Sequence, residues 1–349
     1  MKHHPEEDRN AADIHETRTS RQVRLHLRVQ PKIRRVDNFL GQRYSAFSRA
    51  FFQKLIHAGK LTVNGRRVQP SYRVREGDVL EFELPVQPER IISPVAMDLQ
   101  ILYEDGDLFA INKPPGIMCH PGKKDRDDTL ASGFIHHMHG PEKGKFNPGI
   151  VHRLDFDTTG VMVVAKNPFA HVYLSRQFET RMVHKEYLAL VRGRLPRHFG
   201  QIDTPIGYSP KRWGLMSAGP EAARPRPALS LYEVRERFRG HTLVSVVLKT
   251  GRTHQVRVHF ESIGHPVIGE RYYRGGLGPD PLEELMPRLA LHAWKLRITH
   301  PTTREPMDFT AELPPDFAAA LGHLRSLEQQ ATASGTSPPS QVAPPKGDA

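Results

Sequence analysis

Apolar and polar residues alternate over residues 23–29, a period that predicts a short half-buried strand. Residues 48–59 show helical spacing instead, with Ser48 suited to cap the helix and Gly59 to end it. The dipeptide Asn64-Gly65 is typical of a tight hairpin, and alternation resumes over residues 79–84. This part of the chain therefore predicts two short helices followed by a small hairpin sheet.

Strand-like runs dominate the longer remainder of the chain. Two of them flank the turn at residues 105–107, and others cover residues 160–165, 187–191, 231–236, 243–248 and 289–298. Helical spacing follows Asn167-Pro168 and returns over residues 253–263, where Gly264 marks an end. Because no βαβ unit repeats, the pattern predicts an α+β fold with a mixed sheet.

These changes of pattern divide the chain into five predicted regions. A polar N-terminal extension with a short strand near its end covers residues 1–30, and a compact α+β domain covers residues 31–85. Prolines mark a linker over residues 86–97. The large domain then spans residues 98–325, and the Ser- and Pro-rich residues 326–349 predict a disordered tail.

The net charge of the chain indicates what kind of partner it binds. Of 349 residues, 50 are Lys or Arg and 38 are Asp or Glu, which gives a net charge of +12. Residues 31–85 hold 11 of those bases and 5 of those acids, so half of the net charge lies there. Such a basic domain favours a polyanion, and nucleic acid is the first candidate.

The sequence also indicates a compartment. No apolar run is long enough to span a membrane, and the polar N-terminus lacks a secretory signal. The single cysteine, Cys119, excludes an internal disulfide and fits a reducing environment. We therefore expect a cytoplasmic protein without a membrane partner.

Residues 149–160 form the most unusual polar segment. Apolar residues lead to His152-Arg153-Leu154-Asp155, and a polar turn leads into the next strand. In an extended chain Arg153 and Asp155 share one face, which places a carboxylate at a strand end where a substrate can approach. On this pattern alone, an Asp that hydrogen-bonds within its own turn is the better interpretation.

Residues 248–259 run from a strand through Thr250-Gly251 into a helix. Arg252 is expected at the helix N-terminus, where it either contacts a phosphate or acts as counter-charge to a buried carboxylate. His254 and His259 are five residues apart and do not share the face that a helical zinc pair requires. No metal site is therefore expected.

Residues 31–85 resemble the small RNA-binding domain named after ribosomal protein S4. The resemblance rests on Arg35-Val-Asp-x-x-Leu40, Ser48-Arg49, Leu55-Ile-x-x-Gly-x-Leu-x-Val-Asn-Gly65 and Tyr72-x-Val-x-x-Gly-Asp78, in the family's order and spacing. It implies a domain whose basic side chains neutralise RNA phosphates. The candidate RNA-binding residues are Arg35, Arg49, Lys54, Lys60, Arg66 and Arg67.

The large domain resembles the RluA-type family of RNA pseudouridine synthases over nearly all of residues 98–315. The motifs that carry the resemblance are His152-Arg-Leu-Asp-x-x-Thr-x-Gly160, Lys185-x-Tyr187, Thr250-Gly-Arg-x-His-Gln-Val-Arg-x-His259, Asn112-Lys-Pro-x-Gly116 and Gly264-His-Pro-Val-x-Gly269. One departure is Thr159, where the family usually has Ser. Both residues supply a hydroxyl, so we expect only a packing adjustment.

This resemblance implies a mostly antiparallel catalytic sheet with flanking helices and an isomerase that converts uridine in RNA to its carbon-linked isomer without cofactor or metal. It implies Asp155 as nucleophile or as base toward the sugar, with Arg252 paired to it and Tyr187 stacked on the uracil. The uridine must be flipped into a pocket. The implied substrate-binding residues are Arg153, Val256 and His152.

We expect ribosomal RNA as the substrate in preference to transfer RNA, and a monomeric enzyme. Two rival interpretations stay open. A non-catalytic RNA-binding or assembly protein could use the same scaffold, although intact Asp155, Tyr187 and Arg252 argue against it. A metal-dependent nucleic-acid hydrolase would need a His or carboxylate cluster that the sequence does not offer.

Overall fold

The computed structural model describes residues 12–16, 20–29, 31, 35–44, 47, 49–85, 92–121, 128–141 and 147–333. The chain forms two compact units, Met1–Arg90 and Ile91–Ala349. No helix among the described residues is long and apolar enough to cross a membrane.

The first unit is a small antiparallel sheet with two helices. Its elements are β1 (Ala12–Glu16), β2 (Ser20–His26), α1 (Val36–Arg43), α2 (Arg49–His57), β3 (Leu61–Val63), β4 (Arg66–Arg67) and β5 (Val79–Pro85). The strand order is β1-β2-β5-β3-β4. Phe52 and Ile56 of α2 lie in its hydrophobic core, and Phe51 and Leu55 are partly buried against it. The hairpin at Asn64-Gly65 is confirmed, with φ of 52° and 72°, the left-handed values that a tight hairpin turn of this type needs.

The predicted separation of an N-terminal extension from this domain is wrong. β2 pairs with β5 along its whole length, from Ser20 opposite Pro85 to His26 opposite Val79, so it belongs to the small unit's sheet. β1, in the predicted polar extension, pairs in turn with β2. A sheet edge offers backbone hydrogen bonds to any extended chain, and so an added strand needs no apolar pattern of its own.

The second unit is built on a large mixed sheet. Its strands are β6 (Ile101–Glu104), β7 (Leu108–Lys113), β8 (Thr159–Ala165), β9 (His184–Arg192), β10 (Phe199–Asp203), β11 (Ile206–Tyr208), β12 (Met216–Ala218), β13 (Ala223–Arg226), β14 (Leu229–Arg237), β15 (His241–Leu248), β16 (Leu291–Thr299) and β17 (Pro306–Thr310). Its helices are α3 (Leu130–His139), α4 (Pro168–Glu179), α5 (Gln255–Ser262), the short 3₁₀ helix Pro281–Glu284 and α6 (Pro315–Ala333).

Among the described residues, nine strands form the main sheet, in the order β10-β14-β15-β9-β16-β8-β7-β6, with β17 paired to β16. β8 and β16 run parallel, whereas the other pairings within this sheet run antiparallel. β11, β12 and β13 make a separate three-stranded sheet. The predicted α+β class with a mixed, mostly antiparallel sheet is confirmed.

β8 is an inner strand of the main sheet, between β16 and β7. Val161 and Val163 face the cluster that includes α4, whereas Met162 and Val164 face the cluster that includes α3. Every residue of β8 is buried, because helices cover both faces of the sheet here. The segment with Asp155 leads directly into this strand, and its position is therefore set by the most buried part of the sheet.

The predicted disordered tail begins too early in the sequence. α6 continues to Ala333, so residues 326–333 are helical. Phe317, Leu321 and Leu324 of α6 are buried in the large core that also contains Phe260 of α5, which anchors the first half of the helix. The polar last turns extend a helix already fixed by packing. Residues 334–349 lie outside the described residues.

Gly160 provides a test of this packing. It has φ of +113°, and a Cβ built there would lie 2.2 Å from the carbonyl oxygen of Ala293 on β16. We expect Gly160→Ala to destabilise the unit by roughly 3 kcal/mol, through strain and overpacking at the parallel pair. Urea unfolding measures the change. Gly106→Ala, where a Cβ meets nothing within 4 Å, is the control. Equal urea midpoints for the two variants would contradict the close packing of Gly160 against β16.

Candidate active site

A buried lysine holds the turn that carries Asp155. Lys113, the last residue of β7, donates from Nζ to the carbonyl oxygens of Pro114 at 2.9 Å, Phe156 at 2.9 Å and Thr158 at 3.0 Å. Burial lowers the pKa of Lys113 to about 8, so the ammonium group persists at neutral pH with an acceptor for each N–H. These bonds fix the backbone on the C-terminal side of Asp155 and leave its carboxylate to other partners.

The carboxylate of Asp155 lies beside a buried arginine. Arg257 on α5 donates from Nη1 to Oδ2 of Asp155 at 3.2 Å. The same guanidinium binds Glu270 through two hydrogen bonds, of 2.6 Å from Nε and 2.8 Å from Nη2. Burial alone would raise the pKa of Glu270, but the bonds and charge of Arg257 outweigh it and lower that pKa. Arg257 is therefore held by Glu270 through Nε and Nη2 and donates from Nη1 to Asp155.

The predicted pairing of Arg252 with Asp155 is wrong. Helix α5 begins only at Gln255, and Arg252 lies in the preceding turn, where its backbone N–H donates to Oε1 of Gln255. Its Nε donates to the carbonyl oxygen of Pro227 at 3.0 Å. Burial, with the nearby charges of Arg181 and Arg226, lowers the pKa of Arg252. Arg252 therefore lies among other cations, which leaves the phosphate contact as its remaining interpretation.

Tyr187 and Asp155 line the same cavity, of about 390 Å³. Tyr187 is on β9, two residues after Lys185, and both side chains line the cavity because alternate residues of a strand share a face. Burial and the charge of Asp155 raise the pKa of Tyr187, which keeps its phenol protonated. A volume of this size lies in the range of small-molecule pockets, roughly 300–1,000 Å³.

The three predicted substrate-binding residues line the same cavity but differ in what they contact. Val256, at 3 % exposure, belongs to the apolar core under it. Nε2 of His152 accepts a hydrogen bond from the backbone N–H of Val163, and its ring stacks on Phe178 at 4.4 Å. Burial lowers the pKa of His152 to about 3, so the ring is neutral. Arg153 is exposed and also lines a second cavity, of about 580 Å³, which Asp155 borders as well.

The basic residues predicted to bind RNA lie on the first unit. Arg35 and Arg49 both donate to Asp37, which is fully buried and also accepts from Gln53. Burial would raise the pKa of Asp37, but these three partners lower it. The side chains of Arg35 and Arg49 are still 43 % and 52 % exposed. The remaining four candidates are exposed: Lys54, Lys60, Arg66 and Arg67.

Sequence reasoning missed several residues that build the site. No sequence motif marks Glu270, and its role is evident only from its contact with Arg257. Gln255 is buried and bridges Thr250 to Leu229 and Ser230, which holds the start of α5 against β14. Arg257 and Lys113 lie inside motifs already noted, so the motifs were the available signal. Among the described residues, no group of three His, Cys, Asp or Glu is arranged to hold a metal ion.

Comparison with known proteins identifies the class to which this fold and site belong. Residues 107–262 match the RNA pseudouridylate synthase family, and residues 34–80 match the S4 domain. The chain is 40% identical over 310 residues to an RNA pseudouridine synthase of Aquifex aeolicus (strain VF5), covering 86% of this chain and 96% of that protein. The chain therefore belongs to the RNA pseudouridine synthase family. It is an enzyme of the isomerase class that converts uridine in RNA to pseudouridine.

One further relative and one solved structure are also similar to this chain. The ribosomal large subunit pseudouridine synthase D of Vibrio parahaemolyticus serotype O3:K6 (strain RIMD 2210633) is 37% identical over 302 residues, covering 83% of this chain and 91% of that protein. The solved structure of human RNA pseudouridylate synthase domain containing 1 has a TM-score of 0.51 and 30% identity, covering 69% of this chain and 96% of that chain.

The shared arginine predicts a pH-dependent effect on stability. Arg257→Leu leaves two carboxylates without their counter-charge, and we expect a loss of about 3–5 kcal/mol at pH 7. In the wild type the pKa of Glu270 is lowered, which keeps Glu270 ionised and paired with Arg257. This pair stabilises the folded state at pH values above the ordinary pKa of glutamate, and the stabilisation is lost as pH falls. In the variant, protonation of Glu270 relieves the buried charge. The difference in unfolding free energy between the wild type and Arg257→Leu should therefore decrease as pH falls from 7 toward about 4.

Urea unfolding at a series of pH values measures this deficit. Arg297→Leu is the control, because Arg297 pairs with Asp308 where both side chains are 61% exposed, and its loss should change stability far less than the loss of Arg257. A deficit for Arg257→Leu that stays constant over the pH series would contradict the shared-arginine description.

Proposed function

We propose that this enzyme isomerises uridine in ribosomal RNA, with Asp155 acting on the ribose. A relative covering most of the chain is named for the ribosomal large subunit, which supports the choice of ribosomal over transfer RNA. The S4 domain supports a large structured RNA, because its exposed basic side chains offer sequence-independent phosphate contacts. The observation that carries the mechanism is a carboxylate that is hydrogen-bonded by Arg257 through Oδ2 and that borders both cavities.

The reaction breaks the bond between N1 of uracil and C1′ of ribose and forms one between C5 and C1′. N1 gains a proton and C5 loses one, so no atom is added and no redox partner is required. Asp155 suits either an attack on C1′ or removal of a ribose proton, since its carboxylate is paired with Arg257 and lines the same cavity as Tyr187. Both routes remain within the proposal.

Tyr187 is proposed to stack on the uracil in the cavity of about 390 Å³. Its phenol stays protonated, and the apolar Val256 and Leu154 complete a surface suited to a flat base. A uridine inside a helix must leave its stack to reach this surface. The exposed Arg153, on the rim shared by both cavities, is placed to occupy the vacated space.

Arg252 is proposed to bind an RNA phosphate next to the target uridine. It lies near Arg181 and Arg226, and Lys249 lines the same cavity. None of these four forms an ion pair within the described part of the chain, so the group can bind a phosphate without breaking an ion pair. We further propose that the enzyme acts in the cytoplasm as a monomer.

Asp155→Asn tests the function and its substrate together. A strain of the source organism without the gene would receive the wild type, Asp155→Asn or Asp157→Asn, followed by mapping of pseudouridine across total RNA. We expect the wild type and Asp157→Asn to restore pseudouridine in ribosomal RNA, and Asp155→Asn to restore none while still binding that RNA. Restoration in transfer RNA only would overturn the substrate, and an active Asp155→Asn would overturn the role of Asp155.

Arg252→Ala tests the phosphate contact. We expect a higher KM, little change in kcat, and a dependence of log affinity on log salt that is shallower by about one. Steady-state kinetics and filter binding over a salt series measure these quantities, with Arg297→Ala as the matched surface control. An unchanged KM and salt slope, or a loss confined to kcat, would be evidence against a phosphate contact.

A further inference from the structure

His254 has an unusual backbone and an unusual pair of side-chain neighbours. It lies directly before α5 with φ of 56° and ψ of 26°, in the left-handed region that a residue with a side chain adopts at a cost in strain. Its side chain does not cap the helix. Instead, Nδ1 lies 2.7 Å from the hydroxyl oxygen of Tyr273, and Nε2 lies 3.9 Å from Oδ1 of Asp155.

The hydroxyl of Tyr273 determines which nitrogen of His254 carries the proton. Tyr273 is fully buried, and its oxygen accepts a hydrogen bond from the backbone N–H of Met216 at 3.0 Å. Burial raises the pKa of Tyr273, so the phenol keeps its proton and must donate it. Within the described residues, Nδ1 of His254 is the acceptor in reach. Neutral His254 therefore carries its proton on Nε2, which faces Asp155.

The two oxygens of Asp155 thus have different neighbours. Oδ2 accepts from Arg257 at 3.2 Å, whereas Oδ1 faces the N–H of His254 at 3.9 Å. The second distance is longer than a hydrogen bond. Catalytic hydrogen bonds are often long before substrate binds and shorten in the complex. Oδ1 is the oxygen without an arginine, and so it is the one available to act on the ribose.

We propose that Tyr273 and His254 form a positioning relay, in which the tyrosine hydroxyl sets the imidazole so that its Nε2–H holds Oδ1 of Asp155 toward the substrate. The relay rests on the role proposed above for Asp155. It makes His254 and Tyr273 positioning residues, since they act on the reaction through Asp155. It also links Asp155 to β12, because Met216 of that strand donates to Tyr273.

Charged and titratable groups from three segments face His254. They are Arg153 and Asp155 before β8, Arg257 on α5, and Glu270 with Tyr273 in the segment that follows α5. Burial and the two arginines lower the pKa of His254, and the two carboxylates oppose them. The hydrogen bond from Tyr273 to Nδ1 also favours the neutral ring. Its removal should therefore raise the pKa of His254 and produce an imidazolium that competes for Asp155 at mildly acid pH.

Tyr273→Phe removes the hydroxyl and keeps the ring. We expect kcat to fall about tenfold, the change that one hydrogen bond is worth, with KM unchanged. The acid side of the kcat–pH profile should move to higher pH. The assay follows release of tritium from C5 of uracil in ribosomal RNA from the deletion strain. Tyr208→Phe is the control, because Tyr208 is exposed on the adjoining β11 and should leave both quantities unchanged.

His254→Gln separates the relay from a loss of packing. Its amide N–H replaces the Nε2–H but cannot titrate, so we expect kcat within about tenfold of the wild type. In this background, Tyr273→Phe should no longer move the acid side of the profile. His254→Asn tolerates the left-handed backbone but is too short to reach Asp155, and it should lose at least as much kcat as Tyr273→Phe.

The outcomes distinguish the relay from the function on which it rests. An inactive wild type in the same assay would refute the proposed substrate. An active wild type, with Asp155→Asn inactive and Tyr273→Phe unchanged in kcat and pH profile, would refute the relay alone. So would a pH shift that persists in His254→Gln. If Tyr273→Phe does not fold, wild-type kcat in His254→Asn would be sufficient to overturn the relay.

Discussion

One arginine shared by two carboxylates is the interaction on which the site depends. Arg257 is bound by Glu270 through two hydrogen bonds and reaches Asp155 with a third. A carboxylate away from water stays charged only beside a cation or several donors. Glu270 has both, because it also accepts the backbone N–H groups of Arg271 and Tyr272. Asp155 has a single bond to the arginine, which leaves its other oxygen for chemistry.

The scaffold places this carboxylate through its most buried strand. β8 is covered by helices on both faces, and Gly160 allows β16 to approach its start. Lys113 ties the turn after Asp155 to the end of β7. α5 brings Arg257 to the same point, and Gln255 and His259 attach that helix to β14. Separate parts of the sheet thus determine where Asp155 and its arginine meet.

Motif recognition found the segments of the site and missed one decisive contact. Asp155 and Tyr187 do line one cavity, with Arg252 at its edge. Arg252 and Arg257 are five residues apart, and the sequence offered no means to tell which one faces the carboxylate. The assumed start of α5 at residue 253 favoured Arg252, but the left-handed His254 delays the helix to Gln255. As a result the side chain of Arg257 is buried, while Arg252 lies in the turn before the helix.

The sequence by itself determined the α+β class, the two-domain order, the hairpin at Asn64-Gly65 and the segments that carry the site. These follow from local period, turn chemistry and motif spacing, each of which acts over a few neighbouring residues. Tertiary structure alone decided that Glu270 holds Arg257, that β2 joins the small sheet, and that residues 326–333 continue α6. Such outcomes depend on contacts between distant segments, and a local sequence pattern does not specify which buried partner a side chain contacts.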